Sequence, residues 1–295
     1  MKEKIRWRKE FPFLMFILPA FVAYTLFGIY PLIKSFFYAF TDWNGIGIPK
    51  FTGFANFIAA FSDDSIRQSF GNTLLYAVSV PILVTILAIP LAIVLNGAMK
   101  TRNLQRAIFF FPSVPAALIM GYVWSYMLDA SSDGVINQIL GFFHLSPVLW
   151  TADPQLAMFS LIMVAVWGST GWHACIYLAN LQSIPSDYYE AAYMDGANSW
   201  QKFHYITFPM LAPSMTISFM LLLTGSLKIY DLAFALTNGG PGYATTMITQ
   251  TIIEKGVTEK LYGQATAMSV LFFAVIFIFT TLQVTLMKKR EENLQ

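Results

Sequence analysis

The 295-residue chain has one cysteine, three histidines and little charge, and each scarcity excludes something. A single thiol, Cys175 in an apolar run, rules out an intrachain disulfide. His144, His173 and His204 lie in separate segments, and neither His-Glu-x-x-His nor Gly-x-Ser-x-Gly occurs, so an intramembrane enzyme has no visible machinery. No G-x-x-x-x-G-K-[ST] phosphate loop is present, so the chain is expected not to hydrolyse ATP by itself. A net charge of +2 gives no footprint for a nucleic-acid partner. Charged residues make up 12% of the chain, against roughly 25% in soluble domains.

What fills the chain instead is apolar: 56% hydrophobic residues, with a mean hydropathy of +0.57. Six uncharged stretches are long enough to cross a bilayer as helices of ~20 residues. They centre on Phe11–Ile33, Thr73–Asn96, Ala107–Leu128, Leu156–Leu181, Pro209–Leu227 and Tyr262–Met287. The expected fold is therefore an all-α membrane protein with six transmembrane helices. The first stretch follows Lys2, Lys4, Arg6, Arg8 and Lys9 as a signal peptide would. It is longer than an h-region of ~7–15 residues and lacks a small-residue cleavage site, so it is read as retained. Pro12, Pro19 and Pro31 suggest that this first helix is kinked or tilted.

Orientation follows from the basic residues. With the amino terminus inside, those five join Lys100, Arg102, Arg106, Lys202, Lys288, Lys289 and Arg290 on the inner side. Only Lys34, Lys50, Arg67, Lys228, Lys255 and Lys260 fall outside, so both termini are expected in the cytoplasm.

The most informative polar segment is 184–213. Asp187 and Glu190 form a capping-box pattern for a new helix after Pro185 and Ser186. Tyr189, Ala192, Tyr193 and Gly196 recur at helical spacing as a stripe that could pack against other helices. Gly196 can end the helix, and Asn198 with Gln201 caps a second one, giving a helix–turn–helix at a membrane surface. Glu190-Ala191-Ala192, Asp195-Gly196-Ala197, Ile206 and Pro209 resemble the EAA loop of binding-protein-dependent ABC importer permeases. That pattern is EAA, a glycine four residues after the second alanine, and a downstream I-x-x-P. The lead-in FTGFANF with Asn72-Thr73-Leu74, and Thr237-Asn238-Gly239-Gly240-Pro241, resemble further signatures of the carbohydrate-type members.

The resemblance implies the ABC importer permease fold, with residues 1–70 as an accessory helix and outer segment and 71–295 as a five-helix core. It implies that Asp187, Glu190, Ala191, Ala192, Asp195, Gly196, Ala197 and Pro209 form a cytoplasmic coupling helix seated on an ATPase subunit. The implied partners are a second permease, usually a paralogue, two ABC ATPases that use ATP and magnesium, and an extracytoplasmic solute-binding protein. This chain is expected to bind no cofactor or metal, and its place is a bacterial or archaeal cytoplasmic membrane. The implied cargo is a sugar or oligosaccharide, with glycerol 3-phosphate as the alternative. A secondary transporter is the rival from another class, since it too uses sites on broken helices.

Candidate substrate contacts combine aromatic platforms with hydrogen-bonding groups. In the fourth span these are Trp167, Thr170 and His173; near the fifth they are Ser226, Lys228, Tyr230 and Asp231. His173 alone also reads as a hydrogen-bonded packing residue, and Lys228 with Asp231 as an i,i+3 pair at the outer mouth. Pro112 and Pro115 mark either a structural kink or a wet cavity. Phe51, Phe54, Phe57, Ile58 and Phe61 form an amphipathic pattern expected on the outer surface, and Gly-Gly-Pro-Gly a tight outer turn.

Overall fold

The computed structural model describes residues 7–97 and 100–292; Lys2, Lys4 and Arg6 of the amino-terminal basic cluster lie outside the described residues. The helices are α1 (Trp7–Tyr24), α2 (Tyr30–Tyr38), α3 (Ala55–Ser62), α4 (Asp64–Asn96), α5 (Arg102–Phe110) and α6 (Ala117–Met127). Then come α7 (Val135–Phe142), α8 (Pro154–Leu181), α9 (Ser186–Met194), α10 (Ser199–Lys202) and α11 (Phe208–Met210). The chain closes with α12 (Ala212–Leu227), α13 (Asp231–Thr237), α14 (Ile248–Ile253) and α15 (Tyr262–Glu292). Among the described residues there is no strand, only an isolated bridge between Thr41 and Phe51.

Met15–Tyr38, Asp64–Asn96, Pro154–Leu181 and Tyr262–Met287 are long and apolar enough to cross a membrane. Two bent pairs pass the same test together, so the described residues hold four to six spans. Arg102–Ser113 meets Ala117–Met127 at 91°, and Ser199–Met210 meets Ala212–Leu227 at 64°. Proline explains both breaks. Pro115 has no N–H to give to the preceding turn, and Ala116 after it is extended at ψ 144°. Pro213 has no N–H to return to the carbonyl four residues back. In the first span the disturbance sits at a π turn, Thr25–Ile29, where the Tyr30 N–H reaches the Thr25 carbonyl. Helix α1 runs on through Pro12 and Pro19.

Two compact units divide the chain. One runs through Asp63 and takes in Ile252–Leu271. Within it, Asn56 donates from Nδ2 to the carbonyls of Ala39 (3.0 Å) and Thr41 (2.7 Å), and the Gly263 N–H bonds the Trp43 carbonyl (2.9 Å). Trp43 lies between the rings of Tyr38 (4.1 Å) and Tyr262 (5.3 Å). Helix α3 buries Asn56 and Ala60 while Phe54, Ile58 and Phe61 face outward, so the expected amphipathic face exists.

The other unit spans Asp64–Thr251 and continues from Phe272. Its centre is α4 against α8. Tyr76, Val80, Val84, Ala88, Ala92 and Leu95 recur at three- or four-residue spacing, a single helix face, and meet Leu161, Val164, Ala174, Tyr177 and Leu181. Where lipid tails are as apolar as leucine, such a seam is held by close van der Waals packing. The Asn-Thr pair that opens the second apolar stretch ties down a distant loop. Asn72 donates to the carbonyls of Tyr243 (2.8 Å) and Thr246 (3.1 Å), and Thr73 Oγ1 accepts from the Ile248 N–H (2.9 Å). Helix α4 starts at Asp64, earlier than the apolar run alone suggests, because its polar first turns dock this way.

Candidate functional site

Two places concentrate polar chemistry: the loop after α8 and a cavity along α8. In the loop, α9 begins at Ser186 directly after an extended Pro185 (ψ 138°), and no side chain caps it. The expected Asp187–Glu190 capping box is therefore not formed; Asp187 sits within the first turn, where a carboxylate still favours the helix dipole. The end of α9 follows the expectation. Gly196 takes φ +76°, the Ala197 N–H reaches the Ala192 carbonyl (2.9 Å) and the Gly196 N–H that of Tyr193 (3.1 Å), a Schellman stop. Asn198 and Gln201 then exchange side-chain and backbone hydrogen bonds at 2.9 and 2.8 Å, the capping box that starts α10.

The stripe inferred for α9 is only half correct. Tyr189 and Ala192 are partly covered, and Tyr189 hydrogen-bonds Thr207 (3.0 Å), but Tyr193 is 74% exposed and Gly196 is open. A Cβ at Gly196 would meet nothing within 4 Å, so the position needs glycine for its dihedral and not for space. Asp187, Glu190, Ala191 and Asp195 are exposed, Ala197 and Pro209 half-buried. With Tyr188, Met194, Trp200 and Tyr205 also bare, the loop offers an acidic and aromatic surface.

The cavity, about 450 Å³, opens where the α5–α6 bend meets α8 and α12. Its polar lining is Tyr76, Ser113, Ser169, Trp172, His173 and Ser226, with no Lys or Arg among the lining residues. Two glycines let the bend approach: a Cβ at Gly171 would fall 1.8 Å from the Phe109 carbonyl oxygen, and one at Gly168 would lie 3.9 Å from that of Pro112. His173 is buried and its Nδ1 pairs with the hydroxyl of fully buried Ser218 at 2.8 Å, which fixes the ring. The packing reading of His173 holds, and the anchored ring also lines the cavity. Pro112 and Pro115 lie at the 91° bend and line the same space.

Of the other expected contacts, only Ser226 lies on this cavity. Trp167 packs edge-to-face on Trp124 (5.2 Å), and Thr170 bonds back to the Val166 carbonyl (2.6 Å). Lys228 is exposed at the end of α12, Asp231 is exposed in the first turn of α13, and no ion pair joins them among the described residues. The chain leaves helical geometry at Tyr230 (φ −141°, ψ −63°), so the i,i+3 spacing does not place them on one helix. Tyr230 itself stacks on Phe234 (5.5 Å).

A family model described as the binding-protein-dependent transport system inner membrane component matches residues 57–292. The chain belongs to this family. It is a multi-pass membrane permease, and its relatives include the probable starch degradation products transport system permease AmyD of Thermoanaerobacterium thermosulfurigenes, 32% identical over 94% of both chains. The trehalose/maltose transport system permease MalF of Thermococcus litoralis is 32% identical over 95% of both chains. A solved bacterial ABC transporter that imports the acidic polysaccharide alginate shares the fold, with a TM-score of 0.85 at 22% identity over 96% of this chain and 97% of that one.

Ser113, Ser169 and Trp172 also line the cavity, though residue type did not single them out as contacts. The signal was present in the run Gly168–His173, where small and aromatic residues alternate. On a helix, Ala165, Gly168, Ser169 and Trp172 share a face at 3.6-residue periodicity, and Trp167 and Thr170 fall off it.

Proposed function

We propose that this permease is the membrane-spanning subunit of an ATP-driven importer that translocates a neutral oligosaccharide delivered by an extracytoplasmic binding protein. The observation that carries the cargo class is the cavity. It pairs Trp172, an aromatic platform, with the hydroxyls of Ser113, Ser169 and Ser226 and the ring of His173, and no Lys or Arg lines it to meet a carboxylate or phosphate. Lys228, the one residue that favoured glycerol 3-phosphate, lies off the cavity, and the names of the relatives from Thermoanaerobacterium and Thermococcus point to glucan fragments. ATP and magnesium belong to a separate ATPase, because no phosphate loop exists here. The exposed loop 184–213, with Glu190 and Asp195 bare, is the surface that ATPase grips, and the basic-residue count keeps this loop and both termini in the cytoplasm. A second permease, a paralogue, completes the pathway.

The test is uptake by proteoliposomes that hold the complete importer with saturating binding protein. Maltotriose should be taken up and stimulate ATP hydrolysis, while trigalacturonate should do neither. Trp172→Ala should lower maltotriose uptake by at least about tenfold, the loss of a central stacking platform and its hydrogen-bonding frame. Trp167→Ala should change uptake little, and Glu190→Ala should weaken retention of the ATPase. Uptake that survives Trp172→Ala at the parental rate rejects the cavity as the route.

A further inference from the structure

A second opening lies beside the C-terminal half of α6. It is a cleft of about 610 Å³ between α6, α13 and the segment before α8, lined among others by Tyr122, Tyr126, Asp129, Thr151, Phe234 and Asn238. Thr151 stands just before the 28-residue α8, and the polar loop follows that helix's far end, so the two are separated by about 42 Å of helix. The cleft and the central cavity share no lining residue. Met120 and Leu232 line the cavity, while Tyr122 and Phe234, two residues on and so on the opposite faces of their helices, line the cleft. Between them α6 and α13 touch at Gly121, where a Cβ would come 2.5 Å from that of Ala235.

The floor is rigid. Buried Asn137 shares its amide hydrogens among the carbonyls of Asp129 (3.1 Å), Ser131 (3.0 Å) and Val148 (3.0 Å), and accepts from the Val148 N–H (3.0 Å) and Trp150 Nε1–H (3.1 Å). Asp129 is further fixed by the hydroxyl and the backbone N–H of Ser131, both donated to Oδ1, the latter at 2.8 Å. Those bonds, the hydroxyl's first, hold its carboxyl below the usual range, so it is ionised at neutral pH. No Lys or Arg lines the cleft. Tyrosine faces beside an ionised carboxylate and the Asn238 amide suit the apolar ring face and hydroxyl edge of a sugar, and repel an anionic one.

We propose that this cleft is a second saccharide subsite, which takes a neutral glycosyl unit and excludes uronates. It rests on the reading of the chain as a saccharide permease. In the reconstituted importer, the Tyr122→Ala/Tyr126→Ala double variant should raise the KM for maltotriose by about five- to tenfold, with the change in KM and not in kcat. Phe142→Ala, an exposed aromatic of the neighbouring helix outside the cleft, should leave KM as it is. Asp129→Asn should let trigalacturonate inhibit maltotriose uptake, which it should not do in the parent. A purely structural role would instead reduce the amount of complex recovered by copurification. If the tyrosine variant does not assemble, the Asp129→Asn competition decides alone. Parental KM together with absent inhibition overturns the subsite. A parent that takes up no maltotriose, or a Trp172→Ala variant that does so normally, overturns the underlying reading instead.

Discussion

Between residues 184 and 213 nearly every hydrogen bond that shapes the backbone joins residues no more than five apart, as in the Ala197–Ala192 and Asn198–Gln201 pairs. Around the cavity the contacts that set positions join distant helices: His173 with Ser218, Gly171 with Phe109, Gly121 with Ala235. A locally written loop can keep its shape while it is pushed as a unit, which suits a lever. A cavity written by tertiary contacts changes shape whenever its helices shift, which suits a compartment that must open and close.

The sharpest way to break this contrast is at Gly171. Gly171→Ala places a Cβ 1.8 Å from a backbone oxygen that cannot swing away, so α5 must separate from α8. Overpacking commonly costs about 1–3 kcal/mol, and this site should reach or exceed the top of that range. The expected readout is a large drop in the melting temperature of the purified complex, with loss of uptake. Gly168→Ala, one turn earlier with 3.9 Å of room, should fold like the parent. Equal behaviour of the two alanine variants would mean that the bend does not lean on α8 as closely as described.

Next in size is the His173–Ser218 pair. Ser218→Ala leaves a buried ring nitrogen without its partner, a cost of about 1–3 kcal/mol, whereas the double change with His173→Leu should recover part of that stability because both polar groups are gone. A thermal-unfolding double-mutant cycle measures the coupling, and additive effects would show that the bond is idle. No comparable coupling should appear between Glu190 and Asp195 in the loop.

What could be read in the sequence divides along the same line. Spans and caps depend on composition and short spacing, so the apolar stretches, the Gly196 stop and the Asn198–Gln201 box were legible. The Asp187–Glu190 box was not, because Pro185 fixes the helix start two residues early and leaves no side chain in the capping position. The cavity lining was half legible. His173 and Ser226 were found from residue type, but Ser113 enters it only because two prolines fold the third span back, and Tyr76 only because α4 packs on α8. Tyr230 and Asp231 looked like a site on a straight helix, and the break after Lys228 redirects them.

The smallest effect separates two reasons for a glycine. Bulk at Gly196 would matter if the two short helices met there, and valine would then be far worse than alanine. The structure leaves that space open and instead holds the residue at φ +76°. A left-handed backbone costs a non-glycine residue about 1–2 kcal/mol, and asparagine tolerates it best. Gly196→Ala should therefore lower the melting temperature modestly and weaken ATPase retention slightly, and Gly196→Asn should do less of both. Copurification of the ATPase with each variant gives the ranking. Asparagine performing worse than alanine, in proportion to its added volume, would show that the open side of Gly196 is filled in the working importer and that crowding, not the dihedral, keeps glycine there.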